Sequence, residues 1–147
     1  MDCTSLTAIP NLATTSIAKK CYQEMFRNCT SLVSLENYEL PVTNTGGDDV
    51  GYYYSACYQS MFQGCTSLTS APHIKVQQNK VQTMMNMFSG CTALAYVNVD
   101  FLEWQTGAYS WLDGVSATGD FYKPASLSTV FSSTAIPNGW TVHDKTE

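Results

Sequence analysis

One block of residues occurs four times along this chain. Cys3-Thr4-Ser5-Leu6-Thr7-Ala8-Ile9-Pro10 recurs as Cys29-Thr30-Ser31-Leu32-Val33-Ser34-Leu35, as Cys65-Thr66-Ser67-Leu68-Thr69-Ser70-Ala71-Pro72 and as Cys91-Thr92-Ala93-Leu94-Ala95-Tyr96-Val97. A second block stands ahead of the last three copies: Met25-Phe26-Arg27-Asn28, Met61-Phe62-Gln63-Gly64 and Met87-Phe88-Ser89-Gly90. Two of these follow Cys-Tyr-Gln, at Cys21-Tyr22-Gln23 and Cys57-Tyr58-Gln59. Cys3 to Cys29 and Cys65 to Cys91 are each 26 residues, whereas Cys29 to Cys65 is 36, so the middle unit carries ten extra residues within 42–56. A unit of this size cannot bury its own apolar face, so a fixed period forces neighbouring units to stack.

Each unit has a physical reading. Leu94-Ala95-Tyr96-Val97-Asn98-Val99 ends in apolar–polar alternation, the mark of a half-buried strand. Tyr22, Met25, Phe26 and Cys29 fall at i, i+3, i+4 and i+7, which predicts one face of a short helical segment. Strand, turn and helical segment repeating at this period predict an α/β chain, a leucine-rich-repeat solenoid whose strands pair in a parallel sheet. Stacking then places like residues in columns. The expected core ladder is Leu6, Leu32, Leu68 and Leu94; Phe26, Phe62 and Phe88; and Cys3, Cys29, Cys65 and Cys91.

The pattern decays after Cys91. Leu112-Asp113-Gly114-Val115 aligns with Phe88-Ser89-Gly90-Cys91, but the segment that follows lacks the repeated Leu, and Ile136-Pro137-Asn138-Gly139-Trp140 matches nothing upstream. Atypical terminal units close the open end of a repeat stack. The expected division is therefore 1–109 as repeats, about four units, and 110–147 as a degenerate last unit and cap, with Trp140 covering the last coil. Met1-Asp2 leads straight into a unit, with no secretory signal pattern, which predicts a C-terminal piece of a longer array.

Composition narrows the function classes. Charged residues are 13%, about half the roughly 25% usual for globular domains. Hydroxyl replaces charge, with 17 Thr and 15 Ser. A net charge of −5 is the wrong sign for nucleic acid or for a polybasic membrane surface. No apolar run approaches the ~18 residues of a spanning helix, so no membrane insertion is expected.

Met-Phe-x-Gly-Cys-Thr-Ser-Leu-Thr-Ser-Ala-Pro at this spacing resembles the BspA-like, Treponema-type leucine-rich repeats of gut and oral bacteria. The carrying residues are Phe26, Cys29 and Leu32; Phe62, Cys65 and Leu68; and Phe88, Cys91 and Leu94, with Cys3 and Leu6 from a partial first unit. Lys123-Pro124-Ala125-Ser126 and Ile136-Pro137-Asn138-Gly139-Trp140-Thr141-Val142 look like the cap of Bacteroides-type members. The resemblance implies a right-handed β/α superhelix with its parallel sheet on the concave face. It also implies a cell-surface or secreted setting and adhesion to proteins of a host or neighbouring cell. Thr83 and Met84 depart from it, standing where Cys-Tyr stood in earlier units.

No motif for catalysis, a cofactor or a metal is present. The six cysteines fall in two repeated slots, Cys3, Cys29, Cys65 and Cys91 in one and Cys21 and Cys57 in the other. Buried thiols are expected there, because stacked slots run their Cβ vectors side by side; one or more bridges is the alternative. His73 and His143 read as surface histidines, and Gly46-Gly47-Asp48-Asp49 as a solvated turn. Two surfaces are candidates for binding. Tyr52, Tyr53 and Tyr54, in the insertion, have the amphipathic chemistry that contact surfaces favour, the alternative being packing on a neighbouring unit. The outward positions of the strands, Ser34 and Glu36, Ser70 and Pro72, Tyr96 and Asn98, form the other. The expected function is non-catalytic recognition of a protein or glycan on a host or neighbouring cell. The alternatives are a structural spacer presenting another domain, or a carbohydrate-binding module using Tyr52, Tyr53, Tyr54, Tyr96 and Trp104. The chain is expected to be a monomer or a weak end-to-end dimer.

Overall fold

A computed structural model describes residues 3–12, 20, 22–40, 57–75, 84–104 and 108–146. Cys21, Thr83 and the 42–56 insertion with Tyr52, Tyr53 and Tyr54 lie outside them. The chain is β-rich. Its strands are β1 (Tyr96–Asn98), β2 (Asp120–Pro124) and β3 (Thr141–Lys145), paired in parallel in the order β1-β2-β3. Val97 aligns with Phe121 and Phe121 with Val142. Isolated parallel bridges extend the pairing toward the N-terminus, from Ser34 to Ser70 and from Ser70 to Tyr96, and from Ile74 to Val99. The chain thus returns to the same line once per repeat, as a parallel arrangement with long crossovers requires.

The segment expected to be helical takes another form, and no α-helix occurs among the described residues. Residues 22–28 are consecutive turns, as are 57–64, 84–90 and 109–114. Lys20, Glu24 and Asn28, each four residues on, have φ of 60°, 56° and 58°, which no continuous right-handed helix accommodates. The amide groups alternate in destination. Met25 and Arg27 donate within their own coil, to the Tyr22 and Glu24 carbonyls, while Glu24, Phe26 and Asn28 donate to Gln59, Met61 and Gln63 of the next. An α-helix would spend nearly every N–H internally and leave none to tie coils together. The turn ribbon ties them. Gly64, Gly90 and Gly114 occupy the Asn28 position with φ of 70–76°, where a side chain is strained.

The repeated residues meet in columns. Leu32, Leu68 and Leu94 are each fully buried, as are Phe62 and Phe88. The Phe26 and Phe62 rings stack at 5.6 Å and the Phe62 and Phe88 rings at 5.5 Å. Tyr22 stacks on Tyr58 at 5.7 Å. Cys29, Cys57, Cys65 and Cys91 are buried and take no part in a disulfide. The Cys65 Sγ donates to the Phe26 carbonyl at 3.1 Å and the Cys91 Sγ to that of Phe62 at 3.0 Å. Two ladder assignments need correction at the N-terminal end. Cys3 is exposed and Leu6 only partly buried, each with a column neighbour on one side among the described residues. Met25 is likewise 45% exposed, although Met61 and Met87 in the same position are fully buried.

Three tryptophans fasten the C-terminal part of the chain. Trp104, Trp111 and Trp140 donate their indole N–H to the carbonyls of Ser128, Ala135 and Ser116, at 2.7, 2.8 and 2.8 Å. Each thereby satisfies its polar edge while burying a large apolar body. Trp111 takes over the phenylalanine column, meeting Phe88 edge-on at 6.5 Å and Phe121 at 6.1 Å. Trp140 is buried beside Gly119, where a Cβ would lie 2.8 Å from the indole and 2.7 Å from the Ala95 carbonyl oxygen. Inward-facing Lys123 is buried, its Nζ donating to the Leu127 carbonyl at 2.6 Å and pairing with Asp144 at 2.5 Å.

Candidate functional site

Alternation along the strands sends Val97, Phe121 and Lys123 inward and Tyr96, Asn98, Asp120 and Tyr122 to the opposite face. Register then builds two rows. One runs Ser34, Ser70, Tyr96, Asp120, Thr141; in the other Asn98, Tyr122 and His143 are neighbours. The predicted residues Ser34, Ser70, Tyr96 and Asn98 are brought onto this surface together. Glu36 is exposed near them and its charge acts on Tyr96. Pro72 corrects the expectation of an outward position, since it is buried.

The rows carry a ring ladder of their own. Tyr96 and Tyr122 meet at 5.2 Å, and Tyr122 and His143 stack at 4.5 Å with planes 14° apart. His143 Nε2 lies 2.7 Å from Asp120 Oδ1, so a carboxylate fixes the imidazole on its tyrosine. Burial pushes the Tyr96 hydroxyl above its ordinary range, Tyr122 and Glu36 push the same way, and a hydrogen bond with Asn98 opposes them. Beyond Asn98 lies a charged cluster. Lys145 Nζ donates to Asn98 Oδ1 at 2.9 Å and to the Val99 carbonyl at 2.6 Å, and it pairs with Asp100. His73 Nε2 is 3.0 Å from the other Asp100 oxygen. Partial burial acts to raise the Asp100 carboxyl, but Lys145 and His73 more than cancel it and hold it below the usual range.

Both histidines are therefore engaged, where the sequence suggested free surface residues. Asp120, Tyr122, His143 and Lys145 belong to the surface and were missed, because the repeat has decayed where they lie. The alternation in Asp120-Phe121-Tyr122 and Thr141-Val142-His143 is the signal that could have found them. Trp104 does not join the face: its ring packs against Phe101 at 5.4 Å and Phe121 at 6.0 Å. The surface thus offers hydroxyl, amide, imidazole and carboxylate groups held in fixed register across several coils. No protein-family model, curated protein or solved structure matches the chain.

Proposed function

We propose that this chain is a leucine-rich-repeat solenoid of the BspA-like kind, with a C-terminal cap, that recognises a protein or glycan at a bacterial cell surface without catalysing a reaction. The observation supporting the binding face is the row from Ser34 through Ser70 and Tyr96 to Asp120, joined to the Tyr96–Tyr122–His143 rings. Many weak polar contacts along one line, held by the backbone register, sum to useful affinity at low ordering cost. Glycan and matrix-protein arrays probed with the wild type and with a Tyr122→Ala/His143→Ala variant test the reading. Binding lost in the variant supports it; equal binding by both moves the site off this face.

A spacer that presents another domain is the second reading. Tyr122 and His143 spend ring faces on each other, which leaves less aromatic surface for a sugar. No binding by either protein on the arrays supports the spacer.

A further inference from the structure

Three of the turn ribbons spend a row of backbone donors on the ribbon that follows. The N–H groups of Glu24, Phe26 and Asn28 reach the carbonyls of Gln59, Met61 and Gln63. Those of Ser60, Phe62 and Gly64 reach Met85, Met87 and Ser89, and those of Asn86, Phe88 and Gly90 reach Tyr109, Trp111 and Asp113. On the ribbon at 109–114 the equivalent donors are Ser110, Leu112 and Gly114, and they have no acceptor among the described residues. Leu112 is 6% exposed, and a donor so placed is normally paired.

The ribbon itself is unchanged. Ser110 and Gly114 keep the left-handed φ, at 50° and 70°, and Asp113 donates to the Ser110 carbonyl as Ser89 does to that of Asn86. What differs is the coil that follows. It is present, with β2 and β3 joined by residues 125–139, but that return segment makes no ribbon. It closes on itself instead, Ser132 donating to the Ile136 carbonyl and Ile136 to that of Val130. A groove of about 310 Å³ is left between ribbon and loop, with Leu112, Gly114 and Ser116 on one wall and Ser132, Ser133 and Asn138 on the other. Beyond it the walls touch, since a Cβ at Gly139 would lie 2.8 Å from the Ala117 carbonyl oxygen.

We infer that this groove takes an extended peptide segment of a partner protein, whose carbonyls at alternate residues accept from the Leu112 and Gly114 amides, with Ser110 further along the same row. The other three ribbons show what such a row pairs with: main-chain carbonyls two residues apart. A peptide supplies that run, whereas a sugar or a small anion does not. In this mode main-chain hydrogen bonds give affinity and the surrounding walls give specificity. Here the walls are small and polar, and Asp113 is the one charged residue among those lining the groove. The volume is at the lower end of the roughly 300–1,000 Å³ of ligand sites, so the segment carries small residues and a basic one opposite Asp113. None of these residues belongs to the sheet face, so the inference does not rest on that reading.

Amide exchange and nitrogen–proton correlation spectra test it, with heptapeptides selected on the wild type from a phage-displayed random library as the probe. In the free protein the Leu112 and Gly114 amides are expected to exchange at least about tenfold faster than their paired counterparts at Phe88 and Gly90. Selected peptides are expected to shift both amides and to slow their exchange. Asn138→Trp, at an exposed position, fills the groove and is expected to weaken peptide binding at least about tenfold with an unchanged melting curve. Slow exchange of both amides in the free protein overturns the inference, because the row is then already paired. So does a selection that yields no binder, or binders that Asn138→Trp leaves undiminished. Peptides that shift Tyr122 and His143 instead overturn it as well, while supporting the sheet face. Should Asn138→Trp fail to fold, Ser133→Trp on the same wall, also exposed, decides by the same readout.

Discussion

The rings of Phe62 and Phe88, 26 residues apart in the sequence, lie parallel to within 3° with centroids 5.5 Å apart. Phe62 is the middle of three, with Phe26 on its other side at 5.6 Å. It is fully buried and touched by a ring on each side, so truncation leaves a cavity the flanking rings cannot both fill. Phe62→Ala is expected to cost about 3–5 kcal/mol. Phe26→Ala, at the end of the stack, is expected to cost less. Urea unfolding of the two variants checks the order, and equal losses would contradict it.

The cysteine column predicts a pattern of reactivity. Burial pushes the Cys65 and Cys91 thiols up to about 12 from 9.0. Thiolate is the reactive form, so at neutral pH both should resist alkylation in the native protein while exposed Cys3 reacts. Peptide mapping after brief iodoacetamide treatment, with and without denaturant, reads this directly. The same shifts predict lability to alkali. Each thiol favours folding in full below its unfolded value near 9 and loses that contribution as pH rises toward 12. Melting temperature should therefore fall from pH 9 upward.

Two glycines separate crowding from backbone strain. A Cβ at Gly119 meets the Ala95 carbonyl and the Trp140 indole below 3.0 Å. At Gly90 the nearest atom is 3.8 Å away, but φ is 76°. Gly90→Ala should therefore cost only the left-handed penalty of about 1–2 kcal/mol. Gly119→Ala should cost about 1–3 kcal/mol by overpacking and should also shift the Trp140 fluorescence. A Gly119→Ala protein with wild-type emission would mean the indole is not seated there.

Acid stability should depend on Asp100. Its carboxyl is held below the ordinary 3.8 by Lys145 and His73, against the effect of burial. A lowered value means the contribution is complete above the unfolded value and disappears as pH falls through the folded one. Wild type should thus lose stability as pH drops below about 3.8, and Asp100→Asn should lose less over that range while being weaker at pH 7. Thermal melts between pH 2 and pH 7 would show parallel curves if the cluster contributes nothing.

The columns were legible because they depend on spacing alone: Phe26, Phe62 and Phe88 or Leu32, Leu68 and Leu94 need only a constant return of the chain. The local form of the ribbon was not. Burial of Tyr22 and Phe26, four residues apart, satisfies a 3.6-residue period and a four-residue turn period equally well, so their spacing could not exclude a helix. Asn28, Gly64, Gly90 and Gly114 hinted at the left-handed position, as did Asn86, but Glu24, Ser60 and Ser110 adopt it too, and their side chains give no such sign. Of the candidate surface, Ser34, Ser70, Tyr96 and Asn98 followed from strand alternation. Tyr122 and His143 lie past the point where the repeat fails, so only the pairing of β2 and β3 brings them alongside.

The stacking of successive repeats is tested most directly by nuclear Overhauser contacts between ring protons of selectively labelled phenylalanines. Cross-peaks are expected from Phe62 to both Phe26 and Phe88, and none between Phe26 and Phe88. Rings with no contact to one another, or a direct Phe26–Phe88 contact that bypasses Phe62, would contradict the account.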